Sequence, residues 1–150
     1  MAKQTKTNVM RVLDQHKISY QAHQWVRNNE IDSPAPIYKT LVTVGKSGDH
    51  YVFLVPVDHE LDLKKAAQAV DEKNIHMIKE KELLSLTGYV HGGCSPIGMK
   101  KHFVTTIDQS AQDQERIIFS AGKVGWSVEL DPKDLDQVLA FTYQDVSTDE

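Results

Sequence analysis

A single cysteine, Cys94, stands in 150 residues. No disulfide can therefore close within the chain, and a reducing cytoplasm is the expected compartment. Seven histidines are present, yet none falls in a His-x-x-x-His pair and no cysteine pair accompanies them. The spacing of a zinc site is missing, and no metal or other cofactor is expected. Asp108, Asp113, Glu115 and Glu129 show no pairing of the acid–base kind. There is no phosphate-binding P-loop, no nucleophile elbow and no dinucleotide fingerprint. No apolar run nears the ~20 residues of a membrane-spanning helix, and Met1 to Lys6 leads into no apolar segment, so neither a membrane anchor nor a signal peptide is expected. Excess positive charge is also lacking: 17 Lys and Arg face 21 Asp and Glu, for a net charge of −4. That excludes a protein that coats DNA or RNA by bulk charge, while a local basic patch stays open. Repeats, low-complexity tracts and a second domain are absent, so residues 1–150 read as one domain with one core.

What is present is concentrated in one stretch, Thr87-Gly88-Tyr89-Val90-His91-Gly92-Gly93-Cys94-Ser95-Pro96-Ile97-Gly98, followed by Lys100 and Lys101. Four glycines and a proline here exclude a helix or a central strand. Gly92 and Gly93 leave main-chain groups uncovered by any Cβ, while Pro96 stiffens the loop and biases Ser95 away from helix. Two readings stay open: a wall of a small-molecule pocket, or a bulge and tight turn without a ligand.

Along the chain, Thr7 caps a helix that turns Val9, Met10 and Leu13 inward. Ile18 to Gln24 alternates as a half-buried strand. Residues from Arg27 to Pro36 form a polar, proline-bearing loop. Ile37 to Val44 and Tyr51 to Val57 form a hairpin, the second strand apolar enough to be covered on both faces. Asp62 caps a helix with Ala66, Ala67 and Val70 inward. Ile75 to Ile78 is a short strand, and Lys79 to Leu86 a helix ending at Gly88. Strands follow over His102–Asp108, Arg116–Ser120 and Trp126–Leu130, the last two joined by a turn at 121–125. Asp131-Pro132 opens a further helix, and Phe141 to Val146 adds a short strand. The class is α+β, a mixed, mostly antiparallel sheet curled toward a barrel with helices packed outside.

Lys39 is the sharpest single residue. It sits mid-strand with Ile37, Leu41 and Thr43 on its face. An inward ammonium must be paired, deprotonated or engaged by a ligand. The alternative is an edge lysine, or one that reaches water. Cys94, three residues after His91, invites a nucleophile reading; a lone cysteine is more often a small apolar residue, and no nucleophile is assigned. Lys100, Lys101 and Lys123 could rim a phosphate, or simply face solvent.

Taken in order, Tyr38-Lys39-Thr40-Leu41-Val42, Pro56-Val57, Leu61 to Ala67, Thr87-Gly88-Tyr89, Gly92 to Gly98, Lys100-Lys101 and Ser120 to Gly125 resemble the YbaK/EbsC family of aminoacyl-tRNA deacylases. That family is similar to the editing domain inserted in bacterial prolyl-tRNA synthetases. The resemblance runs from Asn8 to Leu139. It implies removal of cysteine, or another small amino acid, from mischarged tRNA(Pro), without metal or enzyme nucleophile, the substrate thiol attacking its own ester. It implies that Lys39 binds the RNA acceptor end, that Gly92 supplies a backbone contact near the ester, and that Ser120 faces the substrate. Tyr38, Thr40, Gly93, Ser95, Pro96, Gly122 and Trp25 would bind substrate, with Lys100, Lys101 and Lys123 at the RNA rim. The implied partners are the aminoacyl-tRNA acceptor end and a prolyl-tRNA synthetase. A non-catalytic regulator or ligand-binding protein on the same fold is the alternative. Three departures stand out. Trp25 occupies a position where the family often has tyrosine, and Ser127 one where it often has an acid. The interval 27–36 is short for the helix that precedes the Lys-Thr-Leu strand, and a segment missing from between about Ile31 and Pro34 is expected.

Overall fold

The computed structural model describes residues 6–24 and 33–148. Trp25 lies outside them, and so does the start of the interval where a missing segment is expected. Helix α1 (Asn8–Gln15) begins at Thr7, whose hydroxyl accepts from the Met10 N–H at 3.2 Å. Its buried stripe is Val9, Met10 and Leu13. Strand β1 (Tyr20–Gln24) follows, two residues later than the alternation suggests.

Two sheets form. The smaller has the order β1-β7-β6, with β6 (Ile117–Lys123) and β7 (Trp126–Leu130) an antiparallel hairpin. The larger has the order β4-β2-β3-β5-β8. It comprises β2 (Tyr38–Gly45), β3 (His50–Pro56), β4 (Ile75–Met77), β5 (Val104–Asp108) and β8 (Thr142–Gln144). The β3–β5 and β5–β8 pairs are parallel and the remaining pairs antiparallel. The expected mixed, mostly antiparallel sheet is found, but it does not close into a barrel. The sheets meet where Ile37 bridges Ile118 in parallel and the Ile118 N–H donates to the Pro36 carbonyl at 2.9 Å. Beyond that bridge no ladder between β2 and β6 is recorded among the described residues, so the two strands leave a gap.

Strand β3 shows why both of its faces are apolar. Val52 and Leu54 join the main core with Val42, Ile107, Phe119, Val128 and Leu130. Tyr51, Phe53 and Val55 point the other way, onto Ala66 and Ala67 of helix α2 (Leu63–Ala69). Period-two alternation thus feeds two cores from one strand. Asp62 caps α2, accepting from Lys64 and Lys65 N–H. The segment opened by Asp131-Pro132 is a short 3₁₀ turn over Pro132–Gln137, not an α-helix; the cap forms and Leu135 is buried. A second 3₁₀ turn occupies Gln109–Asp113.

The chain end is tied down by a buried carboxylate. Asp108 accepts from the Val146 and Ser147 N–H groups at 3.0 and 3.1 Å and from Ser110 N–H at 3.2 Å. Burial alone would raise its pKa; the Ser110 hydroxyl, together with those N–H donors, outweighs burial and holds it below the ordinary value. Among the described residues no helix is long and apolar enough to cross a membrane.

Candidate active site

The gap between β2 and β6 is a cleft of about 830 Å³, within the size range of small-molecule sites of roughly 300–1,000 Å³. Strand β2 supplies one wall with Thr40 and Val42, and Lys39 reaches it from the same strand. Ser120 and Ser127, directly paired across β6 and β7, supply the opposite wall. Gly92 and Cys94 come from the glycine loop. Met77, Ile78, Glu80 and Leu83 close the side, from β4 and helix α3 (Glu80–Thr87).

Strand register explains why the cleft opens here. Strand β4 pairs with β2 only at Thr43, Val44 and Gly45. The stretch around Lys39 to Leu41 therefore has β3 on one side and the cleft on the other. A lysine is tolerated because its strand segment lies at a local edge. Its side chain is 28% exposed, and its nitrogen lies 3.5 Å from a Glu60 carboxylate oxygen. Next to it, Thr40 Oγ1 is buried without a hydrogen-bond partner. A buried hydroxyl lacking a partner costs about 1–3 kcal/mol.

The loop is rigid for reasons legible atom by atom. Gly88 ends α3 in the left-handed conformation, φ 86°, its N–H donating to Leu84 at 2.8 Å. Thr87 Oγ1 donates to the Leu83 carbonyl and accepts from Tyr89 N–H. The Tyr89 hydroxyl donates to the Ile97 carbonyl, pinning the two arms together. At Gly93 an added Cβ would meet the Val124 nitrogen at 2.9 Å and the Lys123 carbonyl carbon at 3.2 Å. The loop thus lies backbone to backbone against the β6–β7 turn, an approach only glycine permits.

Of the residues singled out from sequence, Lys39, Tyr38, Thr40, Gly92 and Ser120 line the cleft together. Tyr38 is nearly buried, and its hydroxyl is engaged by Ser110 at 2.7 Å. Gly93, Ser95, Pro96 and Gly122 are not among the lining residues. Ser95 is fully buried, its hydroxyl accepting from Ile97 N–H. Gly122 has φ 88° and packs against the Tyr89 ring. Lys100, Lys101 and Lys123 are exposed and outside the lining. Cys94 does face the cleft, but burial pushes its thiol up to about 12. It stays protonated at neutral pH and is a poor nucleophile. Sequence reading missed the apolar side formed by Met77, Ile78 and Leu83, and the carboxylate of Glu60. The exposure of Val57 and Met77 in the cleft lining is visible only in the structure.

Comparison with known proteins bears directly on this arrangement. Residues 21–138 match the model of the aminoacyl-tRNA editing domain. This chain belongs to the aminoacyl-tRNA editing domain family. The match takes in the whole cleft, from β1 to the turn after β7. EbsC of Enterococcus faecalis, assigned as a Cys-tRNA(Pro)/Cys-tRNA(Cys) deacylase, is 40% identical over 158 residues, covering 98% of this chain and 96% of that one. A proline–tRNA ligase of Pelobacter propionicus is 25% identical over 111 residues, which cover 74% of this chain and 18% of the ligase. A crystal structure assigned as a trans-editing enzyme for prolyl tRNA synthetase superposes with a TM-score of 0.78 at 21% identity, covering 96% and 99% of the two chains. That similarity establishes the shared fold. Among the described residues no three His, Cys, Asp or Glu side chains gather as a metal site.

A second polar cluster lies along β7. Glu129 is buried and paired with His23 Nε2 and Arg116 Nε, both at 2.8 Å. Burial would raise the carboxyl pKa, and bonds from Ser33, His23 and Arg116 more than offset it. This cluster ties β1, β6 and β7 together two residues from Ser127.

Proposed function

We propose that this chain is a trans-editing deacylase that removes cysteine from mischarged tRNA(Pro), acting as a single editing domain in the cytoplasm. The observation that carries the reading is the convergence in one cleft of the Lys39 ammonium, the unpartnered Thr40 hydroxyl, the main chain of Gly92 and Ser120. In this reading Lys39 holds the phosphate next to the terminal ribose, and Thr40 and Ser120 bind the aminoacyl group. Tyr38 shapes the wall, and Trp25 contributes from beyond the described residues. Gly93, Ser95, Pro96 and Gly122 act by fixing the loop rather than by touching the substrate. Lys100, Lys101 and Lys123 form an outer rim for RNA phosphates.

The chemistry needs no enzyme nucleophile. An aminoacyl ester is already activated, and a thiol held at attack distance from the carbonyl gains by proximity alone. The sulfur adds to the ester carbon and gives up its proton, and backbone donors of the loop stabilise the oxyanion. The ester C–O bond then breaks, the ribose oxygen taking up that proton and the cysteine leaving as its cyclic thiolactone. The 40% identity to a protein assigned to this activity supports the choice of cysteine. Incubation with Cys-tRNA(Pro) should release the ester at a rate proportional to enzyme. Survival of that ester, with hydrolysis of Ala- or Ser-tRNA instead, would move the specificity. Survival of all three would leave a binding protein. A prolyl-tRNA synthetase is the proposed partner in vivo, since an acidic chain has weak, salt-sensitive affinity for RNA by itself.

A further inference from the structure

The counter-ion of Lys39 is itself built into the fold. Its carboxylate belongs to Glu60, just after β3, and Glu60 is fixed by the end of the chain rather than by its neighbours. The Glu60 N–H donates to Thr148 Oγ1 at 3.2 Å, and the Thr148 N–H returns to the Glu60 carbonyl at 2.9 Å. Leu61 bridges Ser147, and the Asp62 N–H donates to the Val146 carbonyl at 2.8 Å. Val146 and Ser147 are in turn held by buried Asp108. A strap over residues 146–148 thus connects a buried anchor to the residue facing the cleft lysine.

The two partners differ sharply in freedom. Lys39 is 28% exposed and confined by its strand, whereas the Glu60 side chain is 82% exposed. When an anion arrives, the more exposed carboxylate can swing into water while the ammonium stays at the cleft. We propose that Glu60 is a positioning residue that stands in for the substrate phosphate. It holds the Lys39 ammonium at the cleft mouth in the free protein and is displaced by the RNA, so it lowers the affinity for every RNA end that engages Lys39. This rests on reading the cleft as an aminoacyl-RNA site.

The test is direct binding of deacylated tRNA(Pro), so it does not depend on turnover. Exposed ion pairs are worth roughly 0.2–1 kcal/mol, so Glu60→Gln should tighten binding about 1.4- to five-fold at low salt. The gain should shrink as salt rises. Asp58→Asn removes an equally exposed charge two residues away that faces His59 rather than Lys39, and reports the non-specific part. The expected result is a larger gain for Glu60→Gln than for Asp58→Asn, with the excess vanishing when Lys39→Ala is also present. Equal gains from the two substitutions would overturn the proposal. So would an excess that survives without Lys39, or no binding of tRNA by any variant. Ester hydrolysis, measured separately, decides the deacylase reading: a protein that binds tRNA with this pattern yet spares every ester would refute the activity and keep the role of Glu60.

Discussion

Gly92 and Gly93 are adjacent, yet each is glycine for a different reason, and substitution separates the two. Gly92 has φ 86°, with only Val124 Cγ2, at 3.8 Å, near an added Cβ. Its constraint is conformational, and a residue that accepts the left-handed region meets it. Alanine there costs about 1–2 kcal/mol, and asparagine less. Gly93 has no unusual φ, but its Cβ would press on the Val124 nitrogen and the Lys123 carbonyl carbon. Those are backbone atoms of a paired hairpin and cannot swing aside. Overpacking of this kind costs about 1–3 kcal/mol. At about 2–4 °C per kcal/mol for a chain of this size, Gly93→Ala should lower Tm by roughly 2–12 °C, and Gly93→Asn by more. Gly92→Asn should stay within about 2 °C of wild type. Thermal melts of the four variants, with urea titrations for ΔΔG, give the comparison. Asparagine at 93 melting no lower than asparagine at 92 would show that the loop does not rest on the hairpin, and the rigidity argument would fail.

Other outcomes follow from the same geometry. Lys39→Ala should abolish measurable deacylation while leaving Tm within about 2 °C, as expected for a surface substitution near ±0.5 kcal/mol; undiminished turnover would remove Lys39 from the site. Cys94→Ser should retain most of the deacylation rate, because the thiol is protonated and unused; a collapse in kcat with an unchanged melt would identify it as a nucleophile after all. Asp108→Asn should destabilise by about 1–3 kcal/mol at neutral pH, through loss of charge-assisted acceptance from three N–H groups. Its pH signature has a definite sign. The folded pKa lies below the ordinary 3.8, so the stabilisation is complete above that value and is lost as pH falls through the lower, folded one. Acid melts of the wild type should therefore lose more stability in that window than melts of Asp108→Asn, and parallel curves would contradict the assignment.

The α+β class, the two-faced β3 and the caps at Thr7, Asp62 and Asp131 were legible because each rests on near-neighbour chemistry. Alternation along one strand reports which faces are covered, and a capping side chain reaches only two or three residues. The ordered motifs marked the family for the same reason: they are local patterns at fixed intervals. Whether the curled sheet closes concerns something else. Closure depends on how far β2 and β6 run together after Ile37 meets Ile118, and no local pattern encodes the distance between strands some 80 residues apart.

The candidate site divides along the same line. Sequence alone determined that the glycine loop is stiff, that a lysine interrupts an apolar strand, and that metal-binding and P-loop patterns are missing. Tertiary structure alone decided that Lys39, Thr40, Gly92 and Ser120 share one cleft. It also decided that Ser95 and Pro96 are buried supports, that the Cys94 thiol is held neutral, and that Glu60 faces the lysine. The physical reason is that conformation and charge type are carried by single residues and their neighbours. Burial, pairing and pKa are instead set by whichever distant segments the packed chain brings alongside.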